Sequence, residues 1–114
     1  MATIKSYTDL EQSRKLAEIL PLESADGHWF NGYLGVNYRQ EAKDFYDTTN
    51  NEYIPAWSLA ALLGILPNDT SLLYFDNAYQ MVYDKKPYVI SNKFDNPIDS
   101  CVAMIEKLHE LNLL

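Results

Sequence analysis

The chain has 114 residues, of which 47% are hydrophobic and 22% are charged, so length and composition predict one globular domain with a single core. Its formal net charge of −7 repels nucleic acid phosphates and anionic lipid, which argues against direct binding of DNA, RNA or membranes. A single cysteine, Cys101, excludes an internal disulfide.

The acidic charge is concentrated in the middle of the chain. Residues 41–84 hold seven acidic residues and one lysine, a net charge of −6. Such charge keeps a protein soluble, or it forms a surface that meets a basic partner. The first residues, MATIKSYTDLEQ, contain no apolar run of signal-peptide length, and no segment reaches the ~20 apolar residues of a transmembrane helix. We therefore expect a cytoplasmic protein.

The first predicted helix covers residues 8–20. Thr8 is a suitable N-cap and Glu11 follows three residues later, which is the pattern of a capping box. Pro21 ends the helix. The apolar residues that gather on one side are Leu10, Leu16, Ala17 and Leu20. This helix is therefore amphipathic.

A hairpin is predicted next, with strands at about residues 25–30 and 33–39. Asn31-Gly32 between aromatic residues is typical of a two-residue hairpin turn. Gly35 within the second strand indicates a bulge or a close backbone approach. The polar, acidic residues 41–53 that follow are predicted to form an exposed loop.

The central segment is unusually apolar, because no side chain from Tyr53 to Asn68 is charged. Pro55 suits the first turn of a helix, and Gly64 followed by Pro67 suits its end. These signals predict a helix of about nine residues, roughly 13 Å long. It is apolar all round, so we expect burial on every side, between the sheet and the other two helices. The alternative is that one side faces a second subunit.

The C-terminal half predicts three strands and a helix. The strands are predicted at about residues 71–76, 79–84 and 87–93. Asp76-Asn77 marks a turn, and Pro87 indicates that the third strand begins at an edge. In the last helix Asn96 is the N-cap and Pro97 the first helical residue.

The predicted order is α-β-β-α-β-β-β-α. It favours a single α+β domain covering residues 1–114, with an antiparallel sheet of about five strands packed by three helices.

The sequence offers few residues for chemistry. No cysteine or histidine spacing suits a metal site, and no glycine pattern suits a nucleotide, so neither a metal nor a cofactor is predicted. On the last helix Cys101 and His109 share the apolar face but are about 12 Å apart along the axis, too far to act together. We expect Cys101 to be buried and unreactive. Asp26 and His28, on one face of a predicted strand, form either a proton-transfer pair or an ordinary exposed pair.

Tyrosine is abundant, with nine residues in the chain. Many will be strand residues, but tyrosine is also enriched in interfaces. The alternative is a tyrosine-lined binding face beside the acidic loop. The candidate partner surface is Glu41, Asp44, Tyr46, Asp47, Glu52 and Tyr53.

Three blocks carry a resemblance to a known group: YTDLEQSRKLAEILPLESAD, IPAWSLAALLGILP and DNPIDSCVAMIEKLHELNLL. They cover about half of the chain and resemble short uncharacterised proteins of gut bacteria and their phages or mobile elements. The resemblance implies a mobile-element context and a shared scaffold of helices, with residues 28–52 and 70–93 as variable parts. It implies no activity, ligand or catalytic residue.

Three functions are compatible with these observations. The first is a small, non-catalytic protein-binding or accessory protein, with self-association as a homodimer included. The second is an acidic inhibitor that mimics nucleic acid, for which the carboxylates of Glu41, Asp44, Asp47 and Glu52 would share one surface. The third is a small enzyme that uses Asp26 and His28.

Overall fold

The computed structural model describes residues 5–30, 33–35 and 54–114. This part of the chain contains three α-helices and two three-stranded antiparallel sheets. The helices are α1 (Leu10–Ala17), α2 (Leu59–Ile65) and α3 (Pro97–Glu110), with a 3-10 helix at Leu22–Ser24. The strands are β1 (Gly27–Phe30), β2 (Tyr33–Gly35), β3 (Ile54–Ala56), β4 (Thr70–Phe75), β5 (Ala78–Tyr83) and β6 (Val89–Ile90). The predicted α+β class is confirmed.

The prediction of one sheet of about five strands is wrong. The described strands form two sheets, ordered β2-β1-β3 and β4-β5-β6. The reason is β3, which lies in the segment predicted to be helical. It pairs with β1, with Trp29 opposite Ile54, and so gives the first hairpin its third strand.

The chain divides into two compact units. Residues 7–61 form the N-terminal unit, and residues 62–114 with Lys5 and Ser6 form the C-terminal unit. The single domain expected from the length stays a prediction. None of the described helices is both long and apolar enough to cross a membrane.

In the N-terminal unit, α1 begins one residue later than the capping pattern predicts. Asp9 is the N-cap: its carboxylate accepts from the N–H of Gln12 at 2.8 Å, and the Gln12 side chain accepts from the N–H of Asp9 at 3.0 Å. Thr8 is instead fully buried. Its hydroxyl is 2.7 Å from that of Ser13 and accepts from the N–H of Trp57 at 3.1 Å. Thr8 therefore joins the start of α1 to the end of β3.

Trp57 lies at the centre of the same unit and is fully buried. Its indole N–H donates to the Ser24 hydroxyl at 2.9 Å, so the buried polar atom of the ring is satisfied. The Trp29 indole N–H donates to the carbonyl of Thr8 at 3.1 Å. Two indoles thus tie α1, the 3-10 helix and β1 together.

The central apolar segment is not one helix buried on every side. Ile54–Ala56 forms a wholly buried strand, and the helix covers only Leu59–Ile65. Leu62 is fully buried, whereas the neighbouring Leu63 is 41% exposed. Burial therefore explains the absence of charge in β3 and on one face of α2.

In the C-terminal unit, β4 and β5 form a hairpin around Asp76 and Asn77. Both residues have positive φ, 53° and 60°, as a two-residue turn of type I′ requires, and the predicted turn is confirmed. β6 is an edge strand paired with β5, but it covers only Val89–Ile90.

The last helix begins at the residue that the sequence predicts. The Asn96 side chain accepts from the N–H of Asp99 at 2.9 Å, and Pro97 is the first helical residue. α3 packs against β5 and β6. Lys5 bonds the Asp99 carboxylate at 2.8 Å and so fixes the segment before the N-terminal unit to α3. The core residues of this packing are Met81, Tyr83, Val89, Ile98, Cys101, Val102, Met104, Ile105 and Leu108.

Candidate functional site

The candidate partner surface from the sequence cannot be placed. Glu41, Asp44, Tyr46, Asp47, Glu52 and Tyr53 all lie outside the described residues. Both the acidic binding surface and the nucleic acid mimic therefore stay predictions.

The structure gives Asp26 and His28 different surroundings. The Asp26 carboxylate accepts from the backbone N–H of Ser58 at 2.8 Å and also from the Ser58 hydroxyl. The Ser58 oxygen in turn accepts from the N–H of Ala61 at 3.2 Å, as the N-cap of α2 does. Asp26 directly precedes β1, so these bonds anchor the start of α2 to the start of β1. Its geometry is that of a structural carboxylate.

The His28 ring is buried against the opposite strand. His28 pairs with Gly35, and a Cβ built on Gly35 would lie 2.5 Å from His28 Nε2. The close neighbour of Gly35 is therefore a side-chain ring rather than another backbone or a bulge. Burial lowers the pKa of His28 from its ordinary value of 6.5, because the charged form loses hydration. Because His28 is buried, the expectation of an ordinary exposed pair is wrong, and the proton-transfer pair stays a prediction.

Tyr7 completes this part of the N-terminal unit. Its ring lies over Gly27, where an added Cβ would come within 2.9 Å of the ring. Burial raises the pKa of Tyr7, and the negative charge of Asp26 raises it further. Both effects favour the protonated phenol of Tyr7.

On α3, Cys101 is fully buried, as predicted, and its Sγ lies 3.9 Å from the sulfur of Met81. Burial raises the pKa of the Cys101 thiol to about 11, so almost no thiolate exists at neutral pH. His109, near the C-terminal end of the same helix, is exposed. Among the described residues, no cluster of three or more His, Cys, Asp or Glu side chains is placed to hold a metal ion.

The C-terminal sheet presents the most distinctive surface in the described part of the chain. Directly opposed residues share a face, so the buried Met81, Tyr83 and Val89 define the inner face of the β4–β5–β6 sheet. The residues between them point the other way. This outer face consists of Ser71, Leu73, Phe75, Ala78, Gln80, Val82 and Ile90.

The outer face is uncharged and largely apolar. Leu73, Phe75 and Ile90 are 46%, 69% and 64% exposed. The amide of Gln80, the largest polar group on this face, donates to the carbonyl of Ser91 at 2.8 Å. Large apolar side chains on this face are therefore exposed to solvent, with few free polar groups beside them.

Sequence reasoning missed this face although it contained a signal. In LLYF, residues 72–75, every side chain is apolar or aromatic, whereas a strand with one solvated face alternates apolar and polar residues. Such a run indicates that both faces of the strand meet apolar surroundings. In the structure neither side of this run is buried by the described residues: Leu72 is half-buried, and Leu73, Tyr74 and Phe75 are exposed.

Comparisons of the chain with known protein families, curated proteins and solved structures found no match.

Proposed function

We propose that this chain is a small, non-catalytic protein-binding protein whose partner docks on the outer face of the β4–β5–β6 sheet. The observation that carries the proposal is the exposure of Leu73, Phe75 and Ile90 on one uncharged face. Several exposed apolar side chains on one sheet face of a chain with net charge −7 are typical of interaction sites. A solvated sheet face would instead carry polar residues.

The energetics favour a protein as the partner. Burying one side chain of this size contributes roughly 1.5–3 kcal/mol, and three such residues can anchor an interface. The partner surface that fits is flat and apolar, since the outer face holds no charge to pair with. The resemblance to short proteins of bacterial mobile elements favours an accessory role in the cytoplasm, with no reaction of its own.

The sequence-based surface of residues 41–53 remains a separate part of the proposal. Its acidic residues would attract a basic partner and raise the association rate.

Affinity capture from the source organism tests the proposal with a matched pair of variants. Ile90→Glu places a carboxylate on the outer face, and Leu111→Glu places the same charge on a leucine that is 41% exposed at the end of α3. We expect Ile90→Glu to lose the captured protein and Leu111→Glu to retain it. Equal capture by the two variants, with both folded by circular dichroism, would overturn the docking face.

A further inference from the structure

The free edge of β4 is a second, independent feature of the C-terminal unit. Among the described strands, β4 has a neighbour on one side only, in the order β4-β5-β6. In an antiparallel pair, alternate residues direct their N–H and C=O toward the neighbour, and the residues between them direct these groups away.

Two hydrogen bonds fix which residues of β4 face outward. The N–H of Asp84 donates to the carbonyl of Asp69 at 2.9 Å. The odd-numbered residues of β4 therefore direct their N–H and C=O groups toward β5. The N–H of Thr70 donates to the carbonyl of Pro67 at 3.1 Å, on the other side. It follows that Leu72 and Tyr74 direct their N–H and C=O groups to the free edge. Within residues 5–30, 33–35 and 54–114, no group bonds them there.

The edge carries none of the usual protections against pairing. Natural edge strands are blocked by lysine, proline, a bulge or a short length. Thr70–Phe75 is six residues long, pairs with β5 at every position and contains no charged residue or proline. A strand of this kind is suited to accept another strand.

We propose that β4 pairs antiparallel with β4 of a second copy of this chain, with Leu72 opposite Tyr74 and Leu73 opposite Leu73. The spacing of the free groups selects this register. In each copy the free groups belong to Leu72 and Tyr74. A two-fold axis at Leu73 sets Leu72 of one copy opposite Tyr74 of the other, so all four free N–H and C=O groups of each copy form hydrogen bonds. A two-fold axis at Leu72 would set Tyr74 opposite Thr70, whose N–H is already bonded to Pro67.

A second copy is favoured over a foreign peptide because the free groups of one β4 strand complement those of another, and no acidic residues are directly opposed in this register. The proposed register sets Asp76 opposite Thr70 and Asp69 opposite Asn77, so no two acidic residues oppose each other directly, and Lys85 lies 3.3 Å from Asp69. Two chains of net charge −7 can therefore approach here without a direct clash of charge. A basic peptide would find no acidic group on the strand itself.

The dimer is expected to be weak, because two six-residue strands bury less than a standard interface of about 1,600 Å². This inference does not rest on the proposed function. It uses backbone groups at one edge of the sheet, whereas the docking face uses side chains and includes Ile90 on the opposite edge strand.

Single-cysteine variants test the register. Residues opposed without mutual hydrogen bonds have Cα atoms about 4.5 Å apart, within the range of a disulfide, so Leu73→Cys should form a disulfide-linked dimer on mild oxidation. Ser71→Cys is the control, since the two cysteines would lie four residues out of register, about 13 Å apart at roughly 3.3 Å per residue. The buried Cys101 can stay in place.

We expect at least tenfold more linked dimer from Leu73→Cys than from Ser71→Cys or the unmodified chain. Equal linking by Leu73→Cys and Ser71→Cys, or none by either at millimolar chain concentration, would overturn the pairing. Preferential linking by Leu72→Cys would overturn the register.

Sedimentation of the full chain gives a second measurement that does not depend on oxidation. The average mass of the unmodified chain should rise with concentration, and Tyr74→Pro should abolish the rise. This variant removes an outward N–H and leaves the bonds to β5 intact. Because proline could disturb the strand, Leu73→Lys serves as a second variant, with Leu111→Lys as its control. A mass that never rises, or that rises equally in Leu73→Lys, contradicts the proposal.

Discussion

Gly35 lies directly beneath the His28 ring, so close that the Cβ of an alanine at this position would stand 2.5 Å from His28 Nε2. The two residues are opposed across β1 and β2. The ring of a buried histidine therefore fills the space that any side chain on Gly35 would need. This relationship makes Gly35 a packing requirement of the N-terminal unit.

We predict that Gly35→Ala destabilises the protein by about 1–3 kcal/mol, the usual cost of overpacking. The control is Gly64→Ala, because an added Cβ at Gly64 in α2 meets nothing within 4 Å. That variant should be neutral or stabilising by up to about 1 kcal/mol, since alanine favours helix more than glycine does. Chemical unfolding followed by circular dichroism measures both. A Gly35→Ala chain as stable as Gly64→Ala would contradict the packing.

The lowered pKa of His28 predicts a loss of stability in mild acid. The unfolded chain takes up a proton near the ordinary value of 6.5, whereas burial makes the folded chain resist protonation. The stabilising effect of His28 is thus fully present above pH 6.5 and decreases as the pH falls below it, by at most about 1.4 kcal/mol per pH unit.

The free energy of unfolding, measured between pH 7.5 and 5.5, tests this dependence. His28→Phe keeps an aromatic ring over Gly35 but cannot titrate, so its stability should vary less with pH than that of the unmodified chain. Gly64→Ala, which leaves His28 and every titratable group in place, should keep the unmodified slope. If His28→Phe kept that slope as well, the assignment would be wrong.

The bonds between Asp26 and Ser58 should couple these residues energetically. Asp26→Ala removes a charged acceptor of two hydrogen bonds, and we expect a loss of about 1–3 kcal/mol. Ser58→Ala should cost about 1 kcal/mol, as the loss of an N-cap does. The double variant should lose less free energy of unfolding than the sum of the two single losses, by at least about 0.5 kcal/mol. Strict additivity would show that the contact contributes nothing. Asp84→Ala, which removes a carboxylate at an exposed site, is the control for the loss of an acidic side chain.

The parts of the fold that were predicted correctly have signals that act over a few residues. Asn96 and Pro97 fix the start of α3 by their own hydrogen bonding and geometry, and Asp76-Asn77 fixes the tight turn. The start of α1 was misplaced by one residue because Thr8 and Asp9 are both good caps. A tertiary contact decides between them: Thr8 is buried against Trp57 and Ser13.

The errors arose where a local pattern has two solutions. Pro55 suits the first turn of a helix and equally an edge strand, and a short apolar run such as residues 54–57 does not distinguish the two. Pairing with β1, a contact between residues distant in the sequence, favours the strand. The outer face of the second sheet was missed for the same reason, because only the pairing of β4 with β5 and β6 shows which of its residues share a face.

A photo-crosslinking amino acid at position 90 tests the central claim most directly. Its side chain would stand on the outer face of the β4–β5–β6 sheet, in the place of an isoleucine that is 64% exposed. The same amino acid at position 111, outside the sheet, is the control. We predict that irradiation of the full chain in its own cells yields a covalent adduct with one protein from position 90 and none from position 111. Adducts that are equal at the two positions, or absent from both, would contradict a docking site on this face.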